Sequence, residues 1–126
     1  MLKSSKTCFP LAAVSRVLLS VCMVAVLTLA LLPESAETPD VMSSHVLNHL
    51  VAFASVSALL RLGWPKLAFW QVIVIASLFG ALIETLQWGL TTDREMSLVD
   101  LATNFFGTLF GVSAATILLM RCRNHA

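Results

Sequence analysis

Residues 84–111 read ETLQWGLTTDREMSLVDLATNFFGTLFG, and the reading of this stretch decides the fold. It sets Glu84, Gln87, Arg94, Asp100 and Asn104 between two long apolar runs. Upstream lies LAFWQVIVIASLFGALI (residues 67–83) and downstream FFGTLFGVSAATILLM (residues 105–120). Each run, with its polar shoulder, has the roughly 20 residues that a helix needs to cross the hydrocarbon core. The polar break TTDREM (residues 91–96) is a turn between two spanning helices. An ionisable group inside a spanning helix costs about 2.5–3.5 kcal/mol on insertion scales, so it defaults to a functional hypothesis.

The rest of the chain repeats the pattern. Of its 126 residues 58% are hydrophobic and only 12% charged, about half the usual charged share of a soluble domain. The mean hydropathy is +0.88. A soluble domain of this length cannot bury so much apolar surface. The expected fold is all-α: an integral membrane bundle of four transmembrane helices. A net charge of +1 gives no reason to invoke nucleic acid. The partner that composition implies is the lipid bilayer.

Taken in order, residues 1–32 form a basic segment and a first spanning helix, with the apolar run at residues 17–32 and Pro33 closing it. Residues 31–36 (LLPESA) match a signal-cleavage site poorly. The first helix is therefore expected to stay; cleavage would leave three helices. Residues 33–120 form the main membrane domain. Its acidic loop PESAETPDVMSS (residues 33–44) precedes a second helix at about 44–60, which carries His45, Asn48 and His49. A basic turn at residues 61–66 leads to a third helix at about 67–90, and the fourth spans about 98–120. Ser97-x-x-Asp100 is a helix-start signal, pairing a hydroxyl and an acid with free amides. Residues 121–126 read as a basic tail. There is no internal repeat, low-complexity tract or domain linker.

The positive-inside rule orients the bundle. With both termini cytoplasmic, Lys3, Lys6, Arg16, Arg61, Lys66, Arg121 and Arg123 all lie inside, leaving only Arg94 of the eight cations outside. Trp64 and Trp70 then meet the inner interface and Trp88 the outer one, where amphipathic rings prefer to sit. The expected location is the bacterial inner membrane. Cys8, Cys22 and Cys122 are odd in number and show no C-x-x-C spacing, so neither a disulfide nor a zinc site is expected.

At about 3.6 residues per turn, Asp100, Asn104, Gly107 and Gly111 share one face of the fourth helix. Gly107-x-x-x-Gly111 lets a neighbouring helix approach closely. Ser77, Gly80, Ala81, Glu84 and Trp88 share a face of the third, with Gln87 at its border. His45, His49 and Phe53 stack on the second. The topology brings the outer turns of these helices to one height. His49, Glu84, Gln87, Asp100 and Asn104 are thus expected to meet in an outward-opening polar pocket, with Arg94 closing it. Gly80, Gly107 and Gly111 are expected to serve packing.

The ordered set Asn48-His49, Glu84-Thr85-Leu86-Gln87, Arg94, Asp100, Asn104, Gly107 and Gly111 resembles the VanZ-like family of small bacterial membrane proteins. The resemblance covers about residues 45–115. Family members often carry a Lys just before the His and an aromatic just after it. Here Ser43-Ser44 and Leu50 stand there, with Phe53 a turn later. The resemblance implies a small helical bundle. Through the family's founding member it also implies a link to resistance against the glycopeptide antibiotic teicoplanin. It brings no assigned reaction.

Three function classes stay open. One is an envelope accessory or binding protein, taking a lipid-linked or glycopeptide ligand by its polar head group. A second is an enzyme on a lipid-linked substrate, with His49, Glu84 and Asp100 as base, acid and orienting group or around a divalent metal. One His and two acids at unrelated spacings form no recognised metal or nucleophile signature, so no metal or cofactor is expected and the catalytic residues are left unassigned. The third class is a structural subunit of a complex. Each residue also has a plainer role: Glu84 and Arg94 as an ion pair, Asp100 as a helix-start acid, Asn104 as interhelical glue, and Gln87 as a donor to a backbone carbonyl. Convergence of five polar groups from three helices is what exceeds the needs of packing.

Overall fold

Each of the four apolar runs folds as one helix in a computed structural model, which describes residues 8–32, 42–90 and 97–124. The helices are α1 (Cys8–Ala30), α2 (Met42–Gly63), α3 (Phe69–Leu90) and α4 (Leu98–Asn124). All four are long and apolar enough to cross a membrane. Among the described residues there is no strand. The expected all-α bundle is the fold.

Two helix starts use complementary halves of a capping box. At α4 the Asp100 amide donates to Ser97 Oγ at 3.3 Å, and the Leu101 amide to the Ser97 carbonyl at 3.2 Å. At α3 the direction is reversed: Gln71 Oε1 accepts from the Ala68 amide at 2.7 Å. Both satisfy amides that a helix start leaves without intrahelical partners.

Three boundaries differ from the pattern of apolar residues. α1 begins at Cys8 rather than at residue 17, so Arg16 lies within it. Its side chain is accommodated by tertiary contacts: Arg16 Nε donates to the Gly63 carbonyl at 2.8 Å, and the guanidinium lies 5.0 Å from the centre of the Trp64 ring. Pro10 sits in the first turn, where a missing N–H costs nothing. α2 continues past Arg61 to Gly63, because Arg61 Nη1 folds onto the carbonyls of Pro65 (2.7 Å) and Leu67 (2.6 Å). α4 runs on to Asn124, so residues 121–124 are its last turn rather than a tail. Arg121 and Arg123 favour that helix end through the dipole.

The helices alternate in direction. Arg16 near the start of α1 meets Gly63 at the end of α2. Gln87 near the end of α3 donates to Ala30 at the end of α1. α2 and α4 therefore run parallel, and they are the most intimately packed pair. Their register repeats along the seam: His49 meets Asn104 near one end and Arg61 meets Thr116 near the other. Between these contacts, a Cβ on Gly107 would lie 2.5 Å from the Leu50 carbonyl oxygen. A Cβ on Gly111 would collide with the Ala54 carbonyl and Ser57 Oγ. Both glycines serve packing, as their spacing implied. α1 also joins the bundle directly, since its Leu19 belongs to the same buried cluster as Phe53, Val56, Val72, Ile83 and Val112.

The outer surface is far more apolar than that of a protein folded in water, and the core holds polar groups beside its apolar cluster. Large apolar side chains such as Phe110 (72% exposed) and Leu78 (65%) face outward. Ser15, Ser57, Glu84, Gln87, Thr103, Asn104 and Thr108 are buried. Hydrocarbon around the bundle makes the outward residues comfortable and forces polar groups to find partners inside. This is the surface of a multi-pass membrane protein.

The α3 face needs one correction. Its buried residues are Val72, Ala76, Phe79, Gly80, Ile83, Glu84 and Gln87, while Trp88 points outward. The face is turned toward Gln87, which the spacing had put at the border. An amide loses more than an indole does when it meets lipid, because the indole is at home in the interface.

Candidate functional site

Three side chains from three helices meet near the end of the bundle where α2 and α4 begin. Asp100 is fixed in the first turn of α4 by the Ser97 cap. Asn104 follows one turn later on the buried face. His49 projects from α2 one turn before the fully buried Phe53. Glu84 projects from α3 one turn after Gly80 and is 3% exposed. One potential ligand atom from each of His49, Glu84 and Asp100 can be chosen so that all lie within 4.8 Å of one another.

Asn104 forms the floor. Its Oδ1 accepts from His49 Nδ1 at 2.8 Å. An amide oxygen only accepts, so Nδ1 is the protonated nitrogen; in the neutral ring the lone pair is then on Nε2. The bond fixes both ring orientation and tautomer. Gly80 makes room for this arrangement. A Cβ there would lie 3.2 Å from the Phe53 ring and 3.4 Å from Asn104 Nδ2. Gly80 is thus more than a general packing residue, since it opens α3 to the floor of the cluster.

The cluster has a deeper extension along α4. Thr108, one turn below Asn104, is fully buried. Thr108 Oγ1, Asn104 Nδ2 and Ser77 Oγ have no hydrogen-bond partner among the described residues. The signal for Thr108 was in the sequence: Asp100, Asn104 and Thr108 recur at four-residue spacing. A threonine in an apolar helix reads as neutral, so the repeat carries little signal by itself.

Of the other expected members, Gln87 reaches α1. Gln87 Nε2 donates to the Ala30 carbonyl at 2.8 Å. That carbonyl belongs to the last turn of α1, where helices leave acceptors unfilled. Gln87 therefore ties α3 to α1. Asn48 is exposed. Arg94 lies outside the described residues, as does the side chain of His45. Arg61, by contrast, is an organising residue that its position in a basic turn did not reveal. It reaches Thr116 on α4 at 3.2 Å as well as two carbonyls of the α2–α3 connection.

The chemistry on offer is that of two carboxyl groups and an imidazole in a confined space. Two carboxylates at this separation repel by on the order of 3 kcal/mol at an effective dielectric near 20. Such a pair is stabilised by a positive partner: a shared proton, a cationic side chain, a metal ion or a cationic ligand group. Carboxylates and an amide also suit the hydroxyls of a sugar. No family model, curated protein or solved structure matches this chain.

Proposed function

We propose that the chain is a VanZ-like protein of the bacterial inner membrane, with both termini cytoplasmic and the His49–Glu84–Asp100 cluster at the outer face. In this reading the cluster and Asn104 receive the polar head group of a lipid-linked envelope molecule, whose tail stays in the bilayer. The observation that carries it is the convergence of three ionisable groups from three helices in a chain whose outer surface is apolar. Packing alone does not call for ionisable groups at such cost. The cluster lies near the helix ends, where a head group at the membrane surface reaches it without crossing hydrocarbon.

Binding is read by native mass spectrometry of the protein in nanodiscs loaded with a polyprenyl-phosphate-linked sugar. Wild type is expected to hold one copy, and Glu84→Gln and Asn104→Leu to hold it at least tenfold more weakly at unchanged melting temperature. Equal occupancy in wild type and variants, or variants that vanish from the membrane, would give the cluster to structure alone. The orientation has its own check in a cysteine-free background. A cysteine at Thr92 is expected to react with a membrane-impermeant thiol reagent from outside, and one at Ala126 only after the membrane is opened. External labelling at Ala126 would overturn the topology.

A hydrolytic or transfer role is the second reading. The His49–Asn104 bond favours it, because it orients the imidazole as a base requires. Turnover of the same lipid-linked sugar, lost in His49→Ala with binding retained, would establish it.

A further inference from the structure

We propose that His49, Glu84 and Asp100 form a three-ligand site for one divalent transition-metal ion of the zinc or manganese kind, with at least one coordination position left for water or an anionic oxygen. This inference stands apart from the head-group reading, because it needs no organic ligand.

The first ground is geometry. Ligand atoms on a shared ion with bonds near 2.1 Å lie about 3.0–3.4 Å apart, from the edges of an octahedron or a tetrahedron. The three atoms here lie within 4.8 Å of one another. The second ground is the donor set: one imidazole nitrogen with two carboxylate oxygens suits zinc, manganese or ferrous iron better than calcium or magnesium, which prefer oxygen alone.

A separate observation comes from the floor of the site. Metal-bound histidines generally donate their other ring N–H to a fixed acceptor, which sets the tautomer. Asn104 Oδ1 does this for His49 Nδ1 at 2.8 Å, making Nε2 the ligand nitrogen. The same side chain is 2% exposed, and its Nδ2 has no hydrogen-bond partner among the described residues. Nδ2 faces α3 at Gly80, one turn beneath Glu84. Access is also provided, since His49 and Asp100 are half-buried while Glu84 lies within.

The test uses tag-free protein in nanodiscs, stripped with a chelator and titrated with Zn²⁺, Mn²⁺ and Co²⁺. Wild type is expected to retain about one ion per chain after desalting, and its Co²⁺ form to show ligand-field absorption. Asp100→Asn and Glu84→Gln are each expected to bind at least tenfold more weakly, and Asn104→Leu roughly 10–100-fold more weakly through loss of the outer-shell bond. His45→Ala and the double variant Cys122→Ser, His125→Ala are expected to bind as wild type does. Far fewer than one ion per wild-type chain overturns the proposal, whatever the variants do. So does binding that survives Asp100→Asn in folded protein or is lost in the control variants. A protein that binds Zn²⁺ but not the lipid-linked sugar would sink the head-group reading and leave this site standing.

Discussion

Gly111→Ala is expected to destabilise the bundle by about 3 kcal/mol, at the upper end of what overpacking usually costs. The methyl group has nowhere to go. It would collide with the Ala54 carbonyl and Ser57 Oγ, and would lie 2.7 Å from the Ala54 carbonyl carbon. Two of these atoms are backbone of a rigid helix, so no side-chain rotation relieves the clash. α2 and α4 must separate instead, and that loosens the seam holding His49 against Asn104. Gly107→Ala is expected to follow, with its closest contact at 2.5 Å from the Leu50 carbonyl oxygen. Gly89→Ala is the control. A Cβ there meets nothing within 4 Å, so the change should be neutral or stabilise by up to about 1 kcal/mol through helix propensity. Unfolding of the purified protein in mixed micelles, followed by circular dichroism, reads all three. Gly111→Ala unfolding together with wild type would contradict the close parallel packing of α2 and α4.

Arg61→Lys is expected to cost about 2 kcal/mol, although it keeps the charge. Arg61 donates through two different nitrogens to three acceptors: Thr116 Oγ1 and the carbonyls of Pro65 and Leu67. Hydrogen bonds to charged groups contribute roughly 1.5–3 kcal/mol each, and these share one side chain, so they do not add independently. A lysine ammonium is a single point at the end of a flexible stem and cannot hold this forked geometry. Arg61→Met is expected to cost more, about 3–4 kcal/mol, since the two carbonyls then lose their charged donor altogether. Thr116→Val should incur only a fraction of that loss, as it removes one of the three partners. The same unfolding assay applies. A melting temperature for Arg61→Lys equal to wild type would show that charge near the end of α2, rather than the fork, is what matters.

Much of the fold was legible in the residues because membrane insertion imposes a simple constraint. Every backbone polar group must be satisfied locally, so a run of about 20 apolar residues has little choice but a helix. The α4 cap at Ser97 and the packing role of Gly107 and Gly111 were equally readable, because both depend on residues within one or two turns. The ends of α1 and α2 were not. A hydropathy pattern stops at Arg16 and Arg61, whereas the helices continue, because both guanidinium groups find acceptors on other parts of the chain.

The candidate site divides along the same line. Periodicity identified Asp100 with Asn104 on one face and Glu84 on another, and topology put His49 at their height. It could not distinguish Gln87, which bonds to α1, from Glu84, which enters the cluster, since the two differ only in which way α3 is turned. Nor could spacing announce a metal signature. The three groups belong to three helices and are separated by 35 and 16 residues along the chain.

By itself, then, the sequence determined the class of this protein: four apolar helices, all-α, with polar groups gathered in and around residues 84–111. Helix formation in lipid is a local matter of hydrogen bonds and hydropathy, and local matters are written in order along the chain. The tertiary structure decided which of those polar groups meet. Helix rotation follows from the best overall burial of every side chain at once, and here it set His49 on Asn104 while drawing Gln87 to Ala30. That choice turned residues 84–111 from a list of polar residues into one cluster, completed by a histidine from a distant helix.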